Sequence, residues 1–395
     1  MNSTDALLPA ERRAILALGS LYSFRMLGLF MALPVLGVYA LELPGATPEK
    51  LGLALGAYGL TQACLQLPLG WLSDRIGRRP VVIGGLCLFI LGSGVAASAD
   101  TINGIIVGRF LQGAGAIAAA LTALAADSTR ESQRTKAMAV IGASVGLSFV
   151  LAIILGPIIA AKLGLQGVFL VTAGLGTLGL LFVLVVLPRN PPKDASIADG
   201  DWAVGHVFGG GLPVLYASIF LLHAMMMATF LIVPSGLVET LALPADRHWV
   251  LYLGTVLVSI PPALLIMRRG RGDEDPRLAI GIGVLTLALG VLLALQLASL
   301  WGVALGLALM FTGINALEAI LPATVTRLAP GRLRGTALGL FASCQFLGIF
   351  CGGAVGGAVL GAGGSEALGA LAAGCCAIWL LTLVLRRLVP APVSV

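Results

Sequence analysis

Unbroken apolar runs separated by short polar turns dominate the chain from residue 14 onward. A hydrocarbon core about 30 Å thick takes roughly 20 apolar residues at helical rise. Twelve runs meet that length: 14–41, 51–72, 80–99, 102–126, 135–161, 166–187, 213–238, 246–267, 277–297, 301–326, 333–361 and 366–385. They predict an all-α integral membrane protein of twelve transmembrane helices. Barrel strands would alternate lipid-facing and lumen-facing residues, and these runs do not alternate. The first run reads as a span rather than a secretory leader. It is too long for a leader's apolar region, it follows Asp5 and Glu11, and no small-residue cleavage site ends it.

Composition agrees with the pattern. Apolar residues make up 58% of the chain and charged ones 11%, against about 25% charged in soluble domains, and the mean hydropathy is +1.02. A soluble enzyme, a nucleic-acid-binding domain and a disordered chain are excluded. The 24 Lys and Arg give the orientation. Three (Lys50, Lys162, Arg247) fall on one side, two (Arg25, Arg109) inside spans, and the other nineteen on the side of the N-terminus. The positive-inside rule then predicts cytoplasmic N- and C-termini in a cell (inner) membrane. The longest polar stretch, 188–212, divides the chain into six-span halves, 1–187 and 213–395. The six cysteines all lie in apolar runs and read as packing residues without disulfides.

The halves look related at an offset of 200 positions. Arg134-x-x-Ala137-Met138 aligns with Arg334-x-x-Ala337-Leu338, and Gly156 with Gly356. Two such halves describe a pseudo-twofold transporter with its site near the midplane. Between spans 2 and 3 the chain reads Gly70-Trp71-Leu72-Ser73-Asp74-Arg75-Ile76-Gly77-Arg78-Arg79-Pro80. A generic basic loop accounts for Arg75, Arg78 and Arg79 but not for the spacing of Gly70, Asp74 and Gly77. Gly70 lets a helix approach closely and Gly77 permits a tight turn. Asp74 suits the positive N-terminal end of a facing helix, and Arg78 is expected to pair with Asp127 at the end of span 4. The segment resembles the G-x-L-x-D-R-x-G-R-[RK] signature of the major facilitator superfamily. The resemblance implies two pseudo-symmetric six-helix halves and a cytoplasmic latch built from these residues, with Asp74 against the start of span 11, that holds the outward-open state.

Arg109-Phe110-Leu111-Gln112-Gly113-Ala114-Gly115-Ala116 in span 4 is similar to a second motif of that superfamily, R-x-x-Q-G-x-G-A, whose Arg is linked with proton coupling. An Arg within a span faces a bundle interior or a cavity, so Arg109 has a second reading as a structural residue bonded to helix carbonyls. Gly156-Pro157, preceded by Gly142-x-x-x-Gly146, looks like the antiporter motif of span 5, though the usual following Gly-Gly is absent. Small residues there allow close helix contact and Pro157 bends the helix. Arg25-Met26-Leu27-Gly28, Tyr58 to Ala63, Thr135 to Ala139 and Gln345-Phe346-Leu347-Gly348 bring the pattern close to the YajR-like branch of drug/proton antiporters.

Four ionisable residues lie well inside spans: Arg25, Arg109, His223 and Glu318. Counted at 1.5 Å per residue, Arg25, His223 and Glu318 sit roughly 17, 15 and 13 Å from the cytoplasmic ends. Spans 1, 4, 7 and 10 line the cavity in the resembled fold, and Gln112 and Asn315 lie one turn from Arg109 and Glu318. Glu318, the sole deep acid, reads either as a proton carrier or as a standing ion pair with Arg25. His223, beside three methionines, reads as a packed polar residue or as part of the proton path. Phe30, Tyr58, Gln62 and Gln66 mix apolar bulk and amides as a small-molecule pocket does. Arg25 and Arg109 set against Glu318 favour a neutral, zwitterionic or anionic substrate. The expected function is proton-coupled efflux by alternating access. A uniporter or proton symporter of a small metabolite is the alternative, and a lipid scramblase or sensor is a third reading of another class. No nucleophile–base pair, metal cluster or nucleotide loop suggests an enzyme. The expected partners are a small-molecule substrate, protons and membrane lipids, for a monomer with no cofactor, metal or nucleic acid.

Overall fold

The computed structural model describes residues 8–130, 133–186, 207–270, 276–330 and 333–385. Among them run eleven α-helices: α1 (Pro9–Tyr39), α2 (Pro48–Ile76), α3 (Arg78–Ala97), α4 (Ile102–Ala114), α5 (Ala118–Asp127), α6 (Arg134–Val186), α7 (Leu212–Glu239), α8 (His248–Arg269), α9 (Arg277–Leu295), α10 (Leu300–Leu328) and α11 (Arg334–Leu385). These make the twelve crossings that the apolar runs predict. α4 and α5 are two segments of one crossing. α6 and α11 are each two crossings joined at one glycine, Gly164 (φ 67°, ψ −175°) and Gly364 (φ 68°, ψ −168°). Only glycine takes such torsions without strain. The contacts along α1 record the reversal in α6. Gly19 packs on Ser144 and Met31 on Gly156, whereas Gly28 packs on Thr172 and Leu21 on Gly179. Gly164 and Gly364 stand 200 positions apart, as do the starts of α6 and α11, so the repeat read from Arg134 and Arg334 extends through the whole helix pair. The expected linker 188–212 lies mostly outside the described residues.

Much of the polar bonding between elements lies at the ends of the crossings. On the face that holds the chain's start, the N-terminal face, Glu11 fastens α1 to the turn after α5. Its carboxylate accepts from the Arg130 backbone N–H, Nε and Nη2, each at 2.9 Å, and from the Leu8 N–H at 2.9 Å. On the opposite face, Thr47, Thr101 and Ser299 cap α2, α4 and α10 by accepting from first-turn amides that have no partner within the helix.

Across the two halves α2 packs on α11, α1 on α7 and α6 on α8. Near the opposite face the first two of these contacts are backbone to backbone. Gly52 lies on Gly353 and Gly357, Gly56 on Phe350, and Gly37 on the Phe230 carbonyl and Pro234. Small residues let the main chains approach where lipid offers no hydrophobic drive. Gly142 and Gly146 do not play the packing part expected of them, because a side chain at either would meet open space. The stripe of α6 that faces α1 runs through Ser144, Ser148, Ala152 and Gly156. That turns Gly142 and Gly146 aside, and the close contact is made at Gly156 against the Met31 carbonyl. Pro157 follows within α6.

Candidate functional site

Three polar side chains from three crossings meet in the C-terminal half. His223 (α7) lies 11 residues from the start of its helix, Glu318 (α10) 10 from the end and Gln345 (α11) 11 from the start, all about 15–17 Å deep from the N-terminal face. His223 Nε2 stands 3.1 Å from Glu318 Oε1. Gln345 Nε2 lies 2.9 Å from His223 Nε2 and 3.5 Å from Glu318 Oε1. His223 Nδ1 stands 3.1 Å from the Ile219 carbonyl. His223 is buried, while the Glu318 side chain keeps 38% of its surface accessible.

The Ile219 carbonyl can only accept, so Nδ1 carries a hydrogen. A proton on either partner would close the 3.1 Å contact between Nε2 and Oε1 as a hydrogen bond. Without it the imidazole lone pair and the carboxylate are both acceptors, and the Gln345 amide is the donor beside them. Asn315, one turn away, is turned to α8, where its Nδ2 donates to Ser259 Oγ at 3.0 Å.

The arginines of the N-terminal half sit apart from this site. Arg109 is fully buried. It donates to the Ala54 carbonyl at 3.1 Å, to Gln112 Oε1 at 2.9 Å and to the Leu55 carbonyl at 3.4 Å, and lies 4.2 Å from the Tyr58 ring centroid. Gln112 passes the chain on to Ser93 Oγ at 2.9 Å. Arg25 is equally buried and donates to Gln62 Oε1 at 2.8 Å and to the Gly115 carbonyl at 3.2 Å. The Arg25–Glu318 ion pair considered from the sequence therefore does not form. Arg25 points into its own half, and Glu318 is engaged by His223. Tyr58 and Gln62, expected on a substrate wall, are likewise turned inward to hold the two guanidinium groups. The charge argument for an anionic substrate loses its premise, because neither arginine shares a site with Glu318. Gln66 is buried and its Oε1 has no protein partner. Phe30 is half-buried and meets Phe149 edge-on at 5.4 Å. Phe149 meets Phe311 at 6.0 Å, carrying an aromatic contact from α1 through α6 to α10 in the other half.

At the N-terminal face Arg78 is the hub. It is ion-paired with Asp74 across the Gly77 turn, its Nε lies 3.3 Å from Asp127 Oδ2, and its Nη1 donates to Ser73 Oγ at 2.8 Å. Gly77 supplies the turn with φ 97°, and Gly70 packs on Ala119. Arg79 donates to the Leu184 carbonyl at 2.8 Å, and the Arg75 guanidinium covers the Trp71 ring at 3.9 Å. The expected Arg78–Asp127 contact is present. Asp74 is half-exposed and, among the described residues, bonds Arg78 rather than the start of α11, because Arg78 lies within reach on the same loop.

The Phe149–Phe311 bridge and the break of the fourth crossing at 115–117 were not singled out from the sequence, and Gln345 entered there through the family resemblance alone, not as a site residue. For Gln345 a signal existed, since its depth equals that of His223 and Glu318.

Repeat-related halves of apolar helices, with polar groups buried at mid-depth, define a polytopic membrane transporter. The chain belongs to the major facilitator superfamily, whose family model matches residues 18–272. It is similar to the inner membrane transport protein YajR of Escherichia coli K12, at 41% identity over 379 residues, 94% of this chain and 83% of that protein. An uncharacterized transporter of Buchnera aphidicola (subsp. Acyrthosiphon pisum) is 31% identical, covering 87% of this chain and 89% of its own. Among solved structures, the nucleoside transporter NupG shares the fold at a TM-score of 0.72 and 15% identity, over 94% of this chain and 99% of that one. The human organic anion transporter MFSD10 does so at 0.64 and 19%, over 95% and 100%. The protein is thus a multi-pass membrane transporter of a bacterial inner-membrane family.

Proposed function

We propose that this transporter couples proton entry to export of a small molecule that carries a cationic or hydrogen-bond-donating group, by alternating access. The observation that carries the reading is the contact between His223 Nε2 and Glu318 Oε1, which holds one proton or none. With the proton, the pair is closed. Without it, the carboxylate and the imidazole lone pair accept a donor group from a substrate. Proton and substrate then compete for one position, which is the coupling antiport requires. Symport built on a freed Arg25 finds no support, since Gln62 and Gly115 hold that side chain. Export is further supported by similarity to the multidrug resistance protein MdtL of Escherichia coli O139:H28, 32% identical over 156 residues and 39% of this chain. In this reading the N-terminal face is cytoplasmic, and Asp74, Arg75, Arg78, Arg79 and Asp127 brace that face in the outward-open state.

The test uses proteoliposomes with an imposed pH gradient and a lipophilic cationic dye such as ethidium as probe. Wild type is expected to move dye against proton flow. Glu318→Gln should lose gradient-driven transport while keeping downhill dye exchange. Full, pH-dependent transport by Glu318→Gln would overturn the reading.

A further inference from the structure

The N-terminal half buries two guanidinium charges, and among the described residues neither is paired with a carboxylate. Arg109 bonds carbonyls and an amide through all three nitrogens, under the Tyr58 face. Arg25 lies 5.8 Å from the Phe89 ring centroid but bonds through one nitrogen alone. Its Nη2 is engaged, but Nε and Nη1 are buried and have no protein partner. Gln62, whose Oε1 accepts from Arg25, is fully buried and leaves its own Nε2 without a partner. An unpaired buried charge costs several kcal/mol or more, so these donors call for an acceptor, and a negatively charged one meets the electrostatic demand best.

The backbone beside them points the same way. The fourth crossing is interrupted at 115–117, between the end of α4 and the start of α5. Gly115 packs so closely on the Gly85 backbone that no side chain fits. Arg25 reaches the Gly115 carbonyl, and the Tyr22 hydroxyl donates to the Ala118 carbonyl at 3.1 Å, so α1 grips both edges of the break. Ala116 and Ile117 are fully buried. The first-turn amides of α5 lack the acceptors of a continuous helix and carry the positive end of its dipole. Discontinuous membrane helices present anion sites in this way.

We propose that the break in the fourth crossing is an occluded binding site for a small monovalent anion of chloride's class, held by Arg25 and Gln62 against the start of α5. The site lies within one half and is independent of the proton-coupled export proposed above. The anion neutralises Arg25 and thereby stabilises the junction of α1 with the broken crossing.

The experiment is thermal unfolding of the purified full chain in detergent, titrated with sodium chloride or bromide against sodium gluconate at constant ionic strength. The wild type is expected to gain Tm saturably with halide and not with gluconate. Gln62→Glu supplies a carboxylate beside Arg25 in place of the anion, so this variant should fold and lose the halide response. Arg25→Gln should shift the halide midpoint by about tenfold or more. A parallel titration with acetate and lactate separates the sources. Stabilisation by carboxylates without halide would assign the position to an organic acid and overturn a resident inorganic anion. Equal curves for halide and gluconate in wild type, or an undiminished halide response in Gln62→Glu, would overturn the site altogether.

Discussion

Arg109 has two readings, a proton-coupling residue or a structural one, and its surroundings allow a decisive test. In Arg109→Met the side-chain volume is roughly kept while the guanidinium is lost. Two good hydrogen bonds go, to Ala54 and Gln112, while the 3.4 Å contact to Leu55 contributes little. At about 1.5–3 kcal/mol per bond to a charged group, that is about 3–6 kcal/mol. Loss of the Tyr58 face adds about 1–2 kcal/mol. Against this, the variant no longer desolvates a charge, which returns several kcal/mol. The net loss is expected at about 2–4 kcal/mol. It should appear as a Tm lower by several degrees in detergent, with proton-driven flux per folded molecule keeping its wild-type pH profile. Arg109→Lys keeps the charge but not the fork that serves Ala54 and Gln112 together, so it should fall between. The structural reading is refuted if Arg109→Met unfolds at the wild-type temperature while its proton-driven flux is lost or shifted in pH.

Other consequences are open to measurement. A double-mutant cycle of Arg78→Ala and Asp127→Ala should give a coupling energy of about 0.5–1 kcal/mol, because Asp127 is partly exposed; additive effects would remove the contact from the latch. Asp74→Asn should keep the fold and move the population toward inward-facing, seen by double electron–electron resonance between labels in the opposite-face loops; unaltered distances would sink the latch. Gly56→Leu sets a side chain against the Phe350 backbone and should hold α2 and α11 apart on that face, with longer distances between the same labels; a wild-type distribution would show that the seam does not set closure. Gly164→Ala and Gly364→Ala, at φ 67° and 68°, should each lower stability by about 1–3 kcal/mol, and an unchanged Tm in either would contradict the strain argument.

The crossings were legible because membrane helices announce themselves by length and hydropathy alone. The repeat was legible at Arg134 and Arg334, and Gly164 with Gly364 stood in the same alignment as a further mark. Arg78–Asp127 was legible because both residues end their helices, where chain connectivity leaves little freedom. Rotation was not legible. Successive residues turn by about 100°, so counting gave the depth of Arg25, and composition put Tyr58 and Gln62 on a wall, without telling that all three point into their own half. The same ignorance placed Glu318 opposite Arg25, when equal depth with His223 and Gln345 fitted just as well. The break after Ala114 carried no proline to mark it, and its cause, the backbone approach of Gly85 to Gly115, belongs to tertiary packing.

The two halves divide their chemistry unequally. The N-terminal half directs its buried cations at its own carbonyls and amides. Among the described residues, the acid at mid-depth belongs to the C-terminal half, on α10, and is read by α7 and α11. α11 then carries two features on adjoining turns. Gln345 touches the proton position between His223 and Glu318. The next residue, Phe346, lends its carbonyl to the contact with Gly59 of α2, and the Gly56 and Gly52 contacts follow toward the opposite face. Under the proposed coupling, a change in what His223 and Glu318 hold would move Gln345, whose helix seals against α2 backbone to backbone. Close-packed backbones are bistable rather than compliant, so a shift of α11 either keeps that seam or opens it. Gln345 and the seam against α2 thus lie less than one helical turn apart within a single element, which is the route the proposed coupling would take.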